Sequence, residues 1–306
     1  MKMHLQKVAV IGLLCLLAPL VGAEVFSDDF VSQKQVAITN LTTKESSTCQ
    51  LIRIHENWFL TSAHCVDACV EEGCQLRVLL AMGRKVNALA DISDRDIFVP
   101  QEYREGKLAK SVFWDVALLR YRPESYEFKT NDGRLLDADE FRQALKKDSV
   151  LRRQWNGAIK PALPELIVYS GADLMTLDKS ENVVVPRWTD GNMTYYTNPN
   201  YVLYTGKRQA MWVTDGFGVS KGNSGGGVWT EQDGGVLGVV SAKQMNMLPS
   251  QVRQAYPQLG KTAEFFAFTG FSKKTTWKFI EDILKQYGDE VKTRKLRKIE
   301  DFPPAF

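Results

Sequence analysis

Short apolar stretches, set off by polar and turn-forming residues, recur along most of the chain. In the first half they fall at 36–38, 49–54, 58–62, 76–80 and 116–119. Runs this short, bounded by turn residues, predict antiparallel β-strands rather than helices. His55-Glu56-Asn57 lies between two of them and is expected to form an exposed hairpin turn. The pattern repeats at 166–170, 201–205, 210–214, 226–229, 236–241 and 265–269. Two β-rich halves are therefore expected, joined near residues 120–160. Helical periodicity occurs twice. Asp137-Ala138-Asp139-Glu140 has the form of a capping box ahead of Phe141, Ala144, Leu145 and Leu151, which predicts a helix over 138–153. A second helix over 275–287 would place Trp277, Ile280, Ile283 and Leu284 on one stripe.

The amino terminus has a different pattern. Lys2 and Lys7 precede an apolar stretch over 8–20 that ends in Val21-Gly22-Ala23, the form of a secretory signal peptide cleaved after Ala23. An uncleaved anchor helix is disfavoured by the short run and the small residues at its end. A lipoprotein through Cys15 is disfavoured by the bulky Leu14. No later segment is long and apolar enough to span a bilayer. Loss of Lys2 and Lys7 takes the balance from 39 basic against 36 acidic residues to 37 against 36. A nearly neutral exported chain gives no reason to expect nucleic acid or an anionic membrane as partner. The basic run Lys292-Thr293-Arg294-Lys295-Leu296-Arg297-Lys298 is flanked by Asp289, Glu290, Glu300 and Asp301, and a solvated tail is expected over 289–306.

Four cysteines remain after cleavage: Cys49, Cys65, Cys69 and Cys74. An even number in an exported chain favours disulfides, with three connectivities open. The competing possibility is zinc held by His64 and three cysteines, because His-Cys-x3-Cys-x4-Cys has ligand-like spacing.

Thr61-Ser62-Ala63-His64-Cys65, Asp115-Val116-Ala117-Leu118-Leu119 and Gly222-Asn223-Ser224-Gly225-Gly226 occur in that order. A serine hydroxyl is a poor nucleophile until an imidazole takes its proton and a buried carboxylate fixes that imidazole's tautomer. The chain has three histidines, His4, His55 and His64, and His4 leaves with the signal. His55 is the expected turn residue, so His64 is the candidate base. Gly-x-Ser-x-Gly also marks α/β-hydrolases, but there the acid and the histidine follow the serine, and no histidine follows Ser224.

These three segments resemble the signatures of the trypsin/chymotrypsin-like serine endopeptidases over roughly residues 36–288. The resemblance implies an all-β fold of two six-stranded antiparallel barrels with the active site between them, plus a C-terminal helix and an inserted helix. The expected organisation is a signal peptide at 1–23, a first barrel at 24–123 carrying His64 and Asp115, a connecting segment at 124–160, a second barrel at 161–288 carrying Ser224, and a tail. The resemblance also pairs Cys49 with Cys65 across the spacing of sixteen, leaving Cys69 for Cys74. It makes Ser224 the nucleophile, His64 the general base and Asp115 its orienting acid. The amides of Gly222 and Ser224 become the oxyanion hole.

The substrate is expected to be a protein or peptide, cleaved by a secreted or periplasmic monomer that needs no metal and no cofactor. Asn223 stands where animal trypsins have the aspartate that pairs with a freed N-terminus, so trypsin-like zymogen activation is not expected, and a bacterial secreted branch is. A catalytically silent peptide-binding relative is the alternative. An HtrA-like quality-control protease is a lesser one, since only about 18 residues remain past the final helix. Gly218 falls where trypsin has its pocket-bottom acid, and Ser241, Ala242 and Lys243 fall beside the substrate backbone, with Lys243 replacing a common glycine. Cleavage after small or uncharged residues follows, and a peptide-library profile dominated by Arg or Lys would contradict it.

Overall fold

The computed structural model describes residues 33–69, 75–82, 86–105, 114–121, 126–130, 132–149, 151–152, 163–169, 175–178, 183–189, 192–198, 201–206, 209–215, 222–230, 234–243 and 265–295. The expected signal peptide, Cys74, Gly218 and residues 296–306 of the tail lie outside the described residues.

The first sheet contains β1 Gln33–Asn40, β2 Ser46–His55, β3 Trp58–Thr61, β4 Gln75–Met82, β5 Val86–Ser93, β6 Ile97–Phe98, β7 Ala117–Arg120, β8 Tyr126–Thr130 and β9 Leu135–Leu136. Their order, β6-β7-β3-β2-β1-β4-β5-β8-β9, describes a nearly closed antiparallel barrel. The second sheet, a half-barrel, contains β10 Leu166–Tyr169, β11 Met175–Asp178, β12 Val183–Thr189, β13 Asn192–Asn198, β14 Tyr201–Gly206, β15 Gln209–Asp215, β16 Gly227–Thr230, β17 Val236–Lys243, β18 Phe265–Ser272 and β19 Thr293–Lys295. The expected all-β two-barrel architecture is present, with sheets wider than six strands. Hairpins β8–β9 and β12–β13 extend the two sheet ends. One strand departs from the antiparallel expectation: β10 pairs in parallel with β17, β18 and β19.

Strands near the barrel contact are buried on both faces, which explains their unbroken apolar runs. Successive side chains point to opposite faces, so each strand serves two cores. Cys49 and Leu51 of β2, Phe59 of β3 and Ala117 and Leu119 of β7 fill the first barrel. Their neighbours Ile52, Ile54, Trp58, Leu60 and Leu118 face outward and meet Leu166, Trp229, Val236, Val239 and Phe271 of the second sheet. This second cluster is the apolar contact between the barrels.

Among the described residues the sheets are accompanied by helices α1 Gln101–Glu105, α2 Ala138–Lys147 and α3 Thr276–Gln286. The capping box at α2 is formed, with Asp137 accepting from the amides of Asp139 and Glu140 and Glu140 reaching back to the Asp137 amide. Phe141 is buried and stacks on Phe128 at 3.7 Å. The helix expected to 153 stops at Asp148, whose backbone is extended (φ −113°, ψ 106°). Asp148 then caps a new turn through the Leu151 amide at 3.0 Å, burying Leu151 by restarting the helix rather than continuing it.

Helix α3 lies within one residue of its expected span at each end. Ile280 and Leu284 are buried in the inter-barrel cluster, with Trp277 and Ile283 packed at its edge. Beyond it, Asp289 accepts from Trp58 Nε1 at 2.6 Å, and Tyr287 lies under the Arg120 guanidinium at 4.1 Å. Part of the expected solvated tail is strand instead: β19 pairs with β10, whose Leu166 amide donates to Lys292 O at 2.9 Å. Its backbone meets the edge of a sheet while Thr293 and Lys295 stay exposed, and Arg294 pairs with Glu165 at 3.3 Å.

Cys49 and Cys65 form the disulfide that the resemblance implied. Cys69 is also disulfide-bonded. With Cys65 and Cys69 oxidised, the zinc site built on His64 and three cysteines is excluded. The Cys49–Cys65 bridge spans sixteen residues and ties β2 to the turn carrying His64. Replacing both cysteines by alanine is expected to lower the unfolding free energy by about 3 kcal/mol, measured by urea denaturation; an unchanged midpoint would contradict this.

Candidate active site

Strand β3 ends at Thr61, and Ala63-His64-Cys65 make a 3-10 turn directly after it. Asp115 sits two residues ahead of β7, which pairs with β3 through Thr61 and Ala117. The pairing register thus brings the histidine turn and the acid to the same end of adjacent strands. Asp115 is buried at 4% exposure. Its Oδ2 meets His64 Nδ1 at 2.7 Å, and its Oδ1 accepts from the His64 backbone amide at 2.9 Å. A third donor comes from the other barrel, where Ser241 Oγ donates to Asp115 Oδ2. Ser241 occupies a β-bulge in β17, opposite Phe268 and Ala267 through its neighbours Val240 and Ala242. The extra residue re-aims the side chain out of the sheet alternation.

Ser224 lies in a tight turn ahead of β16. Gly222 (φ 95°) and Gly225 (φ 80°) both adopt left-handed backbone that side chains resist. A side chain at 225 would also collide with Thr61 Oγ1 and the Gln50 carbonyl. The turn is fastened on two sides. Gln50 N donates to Ser224 O at 2.7 Å, and Gly225 N donates to Val240 O at 2.9 Å. The Ser224 turn also comes close to Thr61 and Ser62 at Gly225, just ahead of His64 in sequence. Among the described residues the amides of Gly222 and Ser224 donate to no protein acceptor, whereas those of Gly225 and Gly226 are engaged.

Several expectations need adjustment. Ser241, expected beside the substrate backbone, also gives its hydroxyl to Asp115, a bond the sequence did not suggest. Ala242 and Lys243 continue β17 opposite Ala267 and Phe266. His55 is partly buried rather than exposed: its Nδ1 accepts from the Asn57 amide at 3.4 Å, and its Nε2 lies 3.9 Å from Asp289. It faces the C-terminal segment, away from Asp115. Sequence reading also missed Asp67 and Tyr103, whose hydroxyl donates to the Asp67 carboxylate at 2.8 Å. Asp67 follows His64 by three residues, a proximity the sequence does display.

The site's electrostatics favour a charged imidazole. Burial alone would lower the His64 pKa, but the hydrogen bond to Asp115, that carboxylate's charge and the charge of Asp67 outweigh it, and the pKa is raised. Burial, opposed by the Tyr103 bond and reinforced by the Asp115 charge, raises the Asp67 carboxyl. The Tyr103 hydroxyl is pushed up by burial and by both carboxylates.

Two β-barrels, with a buried aspartate bonded to a histidine in the first and a serine in a glycine-bounded turn of the second, are the arrangement of the trypsin-like proteases. The trypsin family model matches residues 25–254, and the chain belongs to that family. No protein of curated function matches it. Among solved structures, the chain is similar to a Glu endopeptidase in complex with MPD (15% identity, 84% of this chain, 92% of that one, TM-score 0.47). It is similar also to the protease Anisep from Arthrobacter nicotinovorans (8% identity, 83% and 94% covered, TM-score 0.45). A third is the scabies mite inactivated protease paralogue SMIPP-S-I1 (15% identity, 85% and 96% covered, TM-score 0.44).

Because the folded pKa of His64 lies above its unfolded value, its protonation stabilises the fold at low pH, and this contribution is lost as pH rises through the folded pKa. An imidazole NMR titration is expected to place His64 above the ordinary histidine range. In Asp115→Asn the charge is lost while burial remains, so the midpoint is expected to fall; an unchanged midpoint would show that Asp115 does not govern it.

Proposed function

We propose that the protein is a serine endopeptidase that cleaves peptide bonds through an acyl-enzyme on Ser224. The observation that carries this reading is the bidentate hold of Asp115 on His64, through Nδ1 at 2.7 Å and the backbone amide at 2.9 Å. Holding Nδ1–H on the carboxylate leaves Nε2 as the basic nitrogen, the tautomer a serine nucleophile requires. In the proposed reaction Ser224 Oγ attacks the scissile carbonyl carbon and passes its proton to His64 Nε2. Asp115 stabilises the imidazolium without taking the proton. The carbonyl oxygen becomes an oxyanion held by the amides of Gly222 and Ser224. As the intermediate collapses, the C–N bond breaks and His64 returns the proton to the leaving amine. Water then attacks the acyl-enzyme by the same relay and releases the acid.

The raised pKa of His64 sets the pH dependence: the base must be neutral to act, so turnover rises with pH through that pKa. An expected signal segment and an oxidised Cys49–Cys65 pair support action outside the cytoplasm. Among the described residues no helix is long and apolar enough to cross a membrane.

Labelling with a fluorophosphonate tests the reading. The mature wild-type chain is expected to label stoichiometrically and Ser224→Ala not at all, while Asp115→Asn should label slower by on the order of 10³–10⁴. A folded, oxidised wild-type chain that stays unlabelled would overturn the reading in favour of a silent peptide-binding relative.

A further inference from the structure

Beneath the Ser224 turn lies a buried pair of side-chain amides that the catalytic scheme does not use. Gln33 opens β1 and Gln50 lies on β2, and both are fully buried. Gln33 Nε2 donates to Gln50 Oε1. Gln33 Oε1 accepts twice from the second barrel, from the Gly227 amide at 2.9 Å and from Trp229 Nε1 at 2.8 Å. Gln50 contributes its main chain as well: its amide donates to Ser224 O at 2.7 Å and its carbonyl accepts from Thr61 Oγ1 at 2.9 Å. The two glutamines thus touch the nucleophile turn at Ser224 and again at Gly227, on either side of Gly225 and Gly226. A side chain at Gly226 would strike Gln50 Oε1 at 2.6 Å and Gln33 Nε2 at 3.0 Å.

This pair is a poor choice for packing alone. Gln50 Nε2 is buried and has no acceptor among the described residues, and an unmet buried donor lowers stability relative to an apolar side chain of the same shape. The directional bonds must serve geometry rather than stability. Trypsin-like activation would tie down this turn with an aspartate ahead of the serine, and Asn223 occupies that position here.

We propose that Gln33 and Gln50 are positioning residues that hold the Ser224 turn in its working shape, so that seating of the first strand takes the place of an ion pair to a freed N-terminus. The role in catalysis rests on the peptidase reading above, whereas the role in ordering the turn does not. The Gln33 side chain acts on the Gly227 amide directly, that of Gln50 acts through Gln33, and neither touches substrate.

The test compares the full mature wild-type chain with Gln33→Met/Gln50→Met, which keeps side-chain length and removes the directional bonds. Hydrogen exchange of the 222–230 segment, thermal unfolding and the rate of fluorophosphonate labelling are measured together. Faster exchange across 222–230 is expected, with an unfolding midpoint within about 5 °C of wild type and labelling slower by about tenfold or more. Unchanged exchange across 222–230 in the folded double variant would overturn the proposal. Should that variant not fold, Gln50→Met decides by the same readout, since it keeps the Gln33 acceptor for Gly227 and Trp229 and removes only the side-chain bond between the two glutamines. A wild-type chain that does not label would overturn the peptidase reading alone, because the exchange comparison still decides whether the amides order the turn.

Discussion

A carboxylate at 4% exposure sets the terms for the rest of this molecule. Removing a charge from water is tolerated only when hydrogen bonds replace the lost solvent, and Asp115 has three protein donors, two from His64 and one from Ser241. The first pair belongs to the first barrel and the third to the second. Satisfying this one group therefore requires both barrels to be in place, and the same bonds that make its burial tolerable orient the imidazole. A structural demand and a chemical one are met by the same three contacts.

The surrounding contacts reinforce that coupling. Ser62 Oγ donates across to Val240 O at 2.5 Å, Val240 N donates to Gly226 O at 2.7 Å, and Gln50 N reaches Ser224. Around this polar seam lies the apolar cluster formed by the outward faces of β2, β3 and β7 against β16, β17, β18 and α3. Apolar burial supplies the non-directional attraction between barrels, and the seam fixes their register at the site. The disulfide to Cys65 and the tie from Trp58 to Asp289 lie on the same first-barrel strands, so the histidine turn is held from several directions.

Legibility in the sequence followed locality. The strands buried on two faces showed as apolar runs, and His64, Asp115 and Ser224 stood in short local patterns. The bond from Ser241 to Asp115 was not foreseen because it depends on a bulge in the pairing of β17 with β18, which no local pattern records. Gln33 and Gln50 escaped notice because their partners lie up to 196 residues away. The β12–β13 hairpin was missed although Asp190-Gly191 between two strand-like runs is a turn signal, and β12 carries a proline, Pro186. That proline is tolerated because β16 pairs only with Val183 and Val184, leaving its side of β12 without that partner. The tail was read as solvated from its charge, and Lys292, Thr293 and Lys295 are exposed, but the pairing of its backbone with β10 has no local signal. His55 looked like a turn residue, and its partial burial arises from the distant Asp289.

A crystal structure of the chain phosphonylated on Ser224 shows whether the two barrels present one assembled site. The phosphonyl oxygen is expected to accept from the amides of Gly222 and Ser224 while His64 stays bonded to Asp115 and Asp115 to Ser241. An adduct whose oxygen points away from both amides, or a His64 ring turned off Asp115, would show that the barrels do not assemble such a site.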